Sequence, residues 1–343
     1  MAEHPNVTVD VLDAGTDEKR WLELWEDCGR EPFAHPGYGR LFAQPEDRSI
    51  ALVVNGPDGS ALLPLLLRTV QDGVHDAISP YGYGGPFLSA GIDAGVVLDA
   101  VSQWAHREHL CSVFLRLSLG LDVGARPEVE QASSNVVVDL RRPLDDVWRN
   151  YDHKVRKNVK KALRAGCRVE RHDLRTDVDR FLEVYTDTMR RRGAAAWYHF
   201  DRDFIKRLAD ELADFHSTFV VLDSRGRTLS VEIVLESDRF LYSYLGGTLA
   251  EAFPMSPNDL LKHEIVRYGQ DSGRSGFVLG GGHRDGDGIF RYKRSFDPGG
   301  VHPFHVAKII GDRRRYADLV AAHGRVPLSD QQGTSFFPAY RAP

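Results

Sequence analysis

Residues 288–296 read GIFRYKRSF, and their lysine stands out because the chain writes most of its cations as arginine. The lysines are Lys19, Lys154, Lys157, Lys160, Lys161, Lys206, Lys262, Lys293 and Lys308. An ammonium is a compact point charge whose pKa moves readily on burial, whereas a guanidinium is a fixed planar fork. Lys293, wedged between aromatics after a glycine-rich run, is therefore a candidate for chemistry at a single atom. Pairing with Asp285, Asp287 or Asp297 would instead give it a structural use. His283 in the same run reads as a solvated turn residue.

A second concentration of charge lies in RNYDHKVRKNVKKALRAGCR, residues 149–168. Lys154, Lys157 and Lys161 recur at helical spacing, and Arg156, Lys160 and Arg164 form an adjoining stripe. After Asp152 no acid interrupts them until Glu170. Like charges one turn apart cost about 0.2–0.5 kcal/mol per pair. Two uses fit: a solvated helix face, or a surface that meets phosphates as point charges without reading sequence. No aromatics are interleaved, which argues against a base-stacking platform.

The net charge of -5 confines any polyanion to a local patch of this kind. Cys28, Cys111 and Cys167 are isolated, fit no metal or disulfide spacing, and point to a reducing cytosol. No basic and apolar leader follows Met1, and runs such as ALLPLLL (61–67) are too short to span a bilayer. The expectation is a cytoplasmic protein with no membrane span, no metal and no bound cofactor. A G-x-x-x-x-G-K-[ST] loop is absent and Gly-Lys never occurs, so an enzyme here would take an already activated donor. Nor is there a nucleophile elbow or a Cys–His pairing.

The elements that must position these residues alternate between helix and strand, in an α/β (α+β) style repeated twice. VTVDVLD (7–13) alternates like an edge strand, and residues 17–29 carry Trp21, Leu24 and Trp25 at helical spacing. Residues 49–70 read as a hairpin, 93–110 as an amphipathic helix, and 112–120 and 134–140 as strands. The second half predicts one long helix over 143–165, a strand, a helix over 177–192, then a three-strand meander. A helix over 256–273 follows, with Ser256 as N-cap and Pro257 at its first position, then a strand, GFVLGGG. Meander, helix and strand in that order are the core of acetyltransferase-like (GNAT) folds, an analogy of fold alone. The expected domains are 1–145, completed by 310–343, and 146–309.

GNAT enzymes that use coenzyme A cradle its pyrophosphate in a Q/R-x-x-G-x-G/A loop between strand and helix. The match here, Arg190-x-x-Gly193-x-Ala195, falls at the end of a predicted helix and fails that context. Where the loop belongs, the chain reads GGTLAEAFPMSPNDLL (246–261).

Four segments in order resemble the Fem family of aminoacyl-tRNA-dependent peptidyltransferases, which are built from two GNAT-like domains. SPYGYGGPF (79–87) resembles the family's tyrosine- and glycine-rich G-P turn, and KVRKNVKKALRAG its basic helix. YSYLGGT followed by SPNDLLKHEI is similar to its Y-x-Y-x-G-x-S/T strand and P-N-x-L-x-x-E helix. LGGGHRDGDGIFRYKRSF resembles its closing loop and F-K motif. Two features depart: Ser89 stands where peptidoglycan-branching members usually carry an acid, and LADELADFHST (208–218) leaves no room for a coiled-coil arm.

The resemblance implies that Lys293 and Tyr292 lie at the reacting centre, with Lys154, Arg156, Lys157, Lys160, Lys161 and Arg164 meeting tRNA phosphates. It implies acceptor contacts at Tyr81, Tyr83, Ser89, Arg192, Tyr198 and Tyr242 or Tyr244. Tyr81 and Tyr83 equally fit a tight turn padded with aromatics. Charged tRNA would serve as co-substrate, carrying a small residue such as alanine, glycine or serine. The acceptor would be the amine of a peptidyl antibiotic intermediate or of a nucleotide-linked peptidoglycan precursor. An N-acyltransferase using acyl-CoA or carrier-bound acyl groups is the alternative. An amine attacking an aminoacyl ester needs orientation and positive charge at the developing oxyanion. Lys293 supplies that charge, and the amine can lose its proton to water or to a substrate group.

Overall fold

A computed structural model describes residues 7–71, 73–282, 284, 286–324 and 336–342. His283 and Asp285 lie outside the described residues. The chain divides into two compact units, residues 1–132 with 303–343, and residues 133–302.

The first unit begins β1 (Thr8–Asp13), α1 (Glu18–Asp27), α2 (Pro36–Phe42), β2 (Arg48–Asn55) and β3 (Ser60–Gln71). It continues with β4 (Val74–Ile78), β5 (Phe87–Leu88), α3 (Ala94–Arg107) and β6 (Ser112–Arg116). The second unit holds β7 (Val129–Asp139), α4 (Leu144–Asn150), α5 (His153–Arg164), β8 (Arg168–His172), α6 (Val178–Arg192) and α7 (Arg202–Glu211). Then come β9 (His216–Leu222), β10 (Thr228–Glu236), β11 (Phe240–Thr248), α8 (Pro257–Asp271), β12 (Gly276–Gly280) and α9 (Gly288–Arg294). The chain returns to the first unit with β13 (Val301–Ile310) and α10 (Arg313–Ala322).

Each unit repeats one pattern. In the first, β1, β2, β3 and β4 pair antiparallel, β4 runs parallel to β6, and β6 pairs antiparallel with β13. In the second, β8, β9, β10 and β11 pair antiparallel, β11 runs parallel to β12, and β12 pairs antiparallel with β7. A parallel neighbour needs a helical crossover, supplied by α3 and α8 respectively. Leu98, Val101 and Trp104 of α3 join Leu52, Leu63 and Leu115 in one core. Leu261 and Ile265 of α8 join Val221, Val234 and Phe277 in the other.

Four expectations are corrected. The second unit starts at Ser133 rather than 146 because β7 pairs with β12, Val137 facing Val278. The first unit resumes at Pro303 rather than 310 because β13 pairs with β6, Val306 facing Arg116. The helix expected over 143–165 breaks at Tyr151 and Asp152, whose ψ angles of 145° and 146° are extended. That break buries the Tyr151 ring 5.4 Å from Phe296 and lets the Asp152 amide donate to the Ser295 carbonyl at 2.8 Å. Ser256, expected to cap α8, adopts a left-handed conformation (φ 59°) and makes no side-chain cap.

The basic helix α5 forms despite its like charges. It buries Val155, Val159 and Ala162, and each buried valine is worth about 1.5–3 kcal/mol against a few tenths per repulsive pair. Helix α7 ends at Glu211 and β9 starts at His216, with no arm between them.

Candidate active site

The parallel pairing of β11 with β12 covers only Phe240–Tyr242 against Gly276–Val278. Beyond Tyr242, β11 runs on without that neighbour, and a cleft of about 970 Å³ opens in the second unit. Ser243, Gly246, Gly247 and Thr248 of β11 form one wall. Gly247 is required there: a Cβ would stand 2.6 Å from Thr188 Oγ1 and 2.9 Å from the Val184 carbonyl of α6. Thr188 Oγ1 in turn accepts from the Thr248 amide at 3.0 Å.

Lys293 and Tyr292 line this cleft on α9, a helix capped by Asp287, whose carboxylate accepts from the Phe290 amide at 2.7 Å. The Lys293 ammonium donates to the Gly281 carbonyl at 2.7 Å and, among the described residues, makes no ion pair. Asp297 is committed elsewhere, to Arg142 and to Asn150. Burial and then the nearby charge of Lys262 pull the Lys293 pKa down to about 7. Tyr292 stands edge-on to Phe296 and accepts from Asn258 Nδ2 at 2.8 Å. Burial holds its phenol well above the usual range, so it remains protonated.

Two features of the floor escaped the sequence analysis. Lys262 of α8 bonds both Glu232 carboxylate oxygens at 2.5 and 2.6 Å, and Ser243 Oγ at 2.7 Å. Both members of this pair are buried, at 6% and 2% exposure. The second is Asp259, 7% exposed in the first turn of α8. Its only side-chain partner among the described residues is Asn158 Nδ2 at 3.2 Å, and burial pushes its pKa up to about 6. The signal was present in SVEIVLE and SPNDLLKHEI: an isolated acid and an isolated base, each inside an apolar stretch.

The structure brings some expected residues together and separates others. Lys154 and Arg192 line the cleft with Lys293. Lys157, Lys160, Lys161 and Arg164 stand exposed on the outer face of α5. Arg156 instead donates to the Arg149 carbonyl at 2.8 Å, closing the break between α4 and α5. Tyr198, Tyr242 and Tyr244 do not line the cleft. The Tyr198 carbonyl accepts from Tyr185 OH at 2.7 Å, and Tyr242 is buried on the strand face opposite Ser243. Tyr244 is the extra residue where β11 slips register against Ile233 and Val234. Arg191, neighbour of Arg192, is fixed by donating to the Thr248 carbonyl at 2.8 Å, its guanidinium 4.7 Å from the Phe253 ring. Gly193 caps α6 in the left-handed conformation, so the pyrophosphate-like match at Arg190 is a helix end.

Tyr81, Tyr83 and Ser89 belong to the first unit. The Tyr81 carbonyl accepts from Tyr38 OH at 2.7 Å, and Tyr83 sits edge-on to Phe33 and Phe304. Ser89 Oγ accepts from the Ser60 amide at 2.8 Å.

Residues 149–294 match the family model described as an acetyltransferase (GNAT) domain, a span within the second unit. FemX superposes with a TM-score of 0.59 at 16% identity, covering 79% of this chain and 89% of FemX. Its fold is the tandem GNAT fold seen in FemX. L-PGS from Bacillus licheniformis shares it at a TM-score of 0.56 and 11% identity, covering 88% of this chain and 94% of that one. A tandem GNAT protein from the clavulanic acid biosynthesis pathway shares it at 0.51 and 12%, covering 88% and 98%. No curated protein matches the sequence. The second unit of this tandem GNAT fold is thus similar to an acetyltransferase (GNAT) domain, with the cleft at the open end of its parallel pair. Among the described residues no helix is long and apolar enough to cross a membrane.

Proposed function

We propose that this chain is an aminoacyltransferase that moves a small amino acid from tRNA to the free amine of a peptidyl acceptor, in the second-unit cleft. The observation that carries this assignment is Lys293, whose ammonium faces the cleft on a backbone carbonyl and, among the described residues, makes no ion pair with a carboxylate. The cleft wall includes Lys154 of α5, whose outer face continues with Lys157 and Lys161, a track for the phosphates of an RNA carrier.

Asp259, one of the carboxylates that line the cleft, holds the acceptor's ammonium, which then loses a proton to water or to a substrate group. The neutral amine attacks the ester carbonyl, a C–N bond forms and the carbonyl oxygen becomes an oxyanion beside the Lys293 ammonium. The C–O bond to the ribose then breaks. With a pKa near 7, Lys293 gives its proton to the departing ribose oxygen and recovers one from the new amide nitrogen. The acceptor is a peptidyl antibiotic intermediate or a nucleotide-linked peptidoglycan precursor, and no metal or bound cofactor takes part.

The alternative donor, acyl-CoA, is disfavoured by Asp259. It sets a carboxylate in the first turn of α8, where helix amides would otherwise meet a pyrophosphate. The test offers amino acids, synthetases, crude tRNA and candidate acceptors, and weighs the products with and without ribonuclease. Product that vanishes on RNA digestion supports the assignment. Product formed from acyl-CoA in the absence of RNA overturns it.

A further inference from the structure

The first unit contains a pocket of about 680 Å³ that the transfer reaction above does not use. Its base is charged. Asp76 of β4, with no exposure, is clamped by two guanidiniums. Arg68 meets it at 2.9 and 3.1 Å and Arg341 at 2.7 and 3.2 Å, while Tyr340 OH donates at 2.9 Å. One carboxylate beneath two guanidiniums leaves one positive charge. Arg116 adds another, its guanidinium 5.2 Å from the Phe114 ring. Lys308 is balanced by Glu130 at 2.5 Å, on a side chain that is 43% exposed. The pocket's walls are rings: Phe114, Phe304 and Phe337, with Phe336 at 55% exposure.

These features select a ligand. Guanidiniums partly buried and fixed on a buried acid present their remaining donors in one geometry, at little ordering cost to a bound anion. A net of two positive charges suits a dianion, and the phenylalanines suit a flat ring attached to it. A cavity of this size accommodates such a molecule. We propose that this pocket binds a small aromatic phosphate: a dianionic phosphate seated at Arg68, Arg116 and Arg341, with its ring between Phe114 and Phe336. Glu130 competes for Lys308 and weakens the binding.

Calorimetric titration of the full chain at low salt tests this, independently of any transfer activity. The probes are phenyl phosphate, adenosine monophosphate, inorganic phosphate and benzamide. Phenyl phosphate should bind at least about tenfold more tightly than inorganic phosphate, and benzamide should give no heat. Tighter binding of adenosine monophosphate than of phenyl phosphate would identify a nucleotide, and the reverse an aryl phosphate. Phe336→Ala, at an exposed position, should weaken phenyl phosphate about fivefold and leave inorganic phosphate unchanged. Glu130→Gln should tighten both, and raised salt should loosen both. Equal affinity for phenyl phosphate and inorganic phosphate would overturn the proposal. So would binding unaffected by both Phe336→Ala and Glu130→Gln, or no binding of any phosphate at millimolar concentration.

Discussion

The two units contain the same notch and treat it oppositely. In each, a parallel pair is joined over only two or three residues, Ala77–Ile78 with Val113–Phe114 in one and Phe240–Tyr242 with Gly276–Val278 in the other. In the first unit the loop after β4 stitches the notch closed. The Ser79 amide donates to the Phe114 carbonyl at 2.9 Å, the Gly84 amide to the Arg116 carbonyl at 2.7 Å, and Ser79 Oγ accepts from the Arg116 amide at 2.9 Å. Among the described residues of the second unit no such stitch follows β11, and the notch is the cleft that holds Lys293. One topology therefore supplies either a closed seam or an open cleft, according to what the loop after the fourth strand does. The charges follow suit. Asp76 in the first unit is saturated by two arginines and a tyrosine, whereas among the described residues the side chains of Lys293 and Asp259 in the second each hydrogen-bond one neutral partner.

The largest effect on stability should come from the one saturated pair on the cleft floor. Lys262→Met leaves Glu232 buried and unpaired, costing about 3–5 kcal/mol in a denaturant titration. The double variant Lys262→Met with Glu232→Met should recover most of that loss, and failure to recover would mean the pair does more than satisfy itself. Next is the seam. In Gly84→Ala the new Cβ would lie 2.2 Å from Ser79 Cβ, a clash worth about 1–3 kcal/mol that should lower the melting temperature while leaving the Lys293 chemistry intact. Equal stability of this variant and the wild type would remove the contrast between closed and open notches.

Asp259 sharpens the comparison through pH. Its pKa is raised by burial from 3.8 to about 6. The folded state therefore holds this proton more tightly than the unfolded state, and the group costs stability as pH rises across that interval. Asp259→Asn should gain on the wild type by about 1–3 kcal/mol between pH 4 and 6, read from paired denaturant curves. The same variant should lose transfer activity about ten- to a hundredfold, and the acid limb of its pH–rate profile near 6 should disappear. A smaller effect belongs to α5. Replacing Lys154, Lys157 and Lys161 by glutamine should weaken tRNA binding about tenfold irrespective of sequence, and flatten its salt dependence.

Most of the fold was legible because period and punctuation are local. The meander, the helix opening at Pro257 and the amphipathic helix over α3 follow from spacing alone. The break at Tyr151 was not legible, since it exists to bury one ring against Phe296, far along the chain. The unit boundary was missed for a related reason: β7 belongs with β12 through a pairing that no local pattern announces. In the site, Lys293 was legible as an odd cation in an aromatic setting. The tyrosines of YSYLGGT were placed wrongly with respect to the cleft because a one-residue slip in β11 decides which faces they take. Asp259 was overlooked because a lone Asp in a first helical turn has an ordinary explanation in the helix dipole. Only its burial, with a single amide for company, marks it out.

The central claim is that Lys293 steadies the charge that develops when an amine takes the amino acid from its RNA carrier. The most direct measurement is single-turnover transfer from a labelled aminoacyl-tRNA to the acceptor, comparing the wild type with Lys293→Met under saturating substrates. Loss of one interaction with the developing oxyanion should slow the chemical step about 10²–10³-fold, with tRNA binding nearly unchanged. An unaltered single-turnover rate in the folded variant would contradict the account.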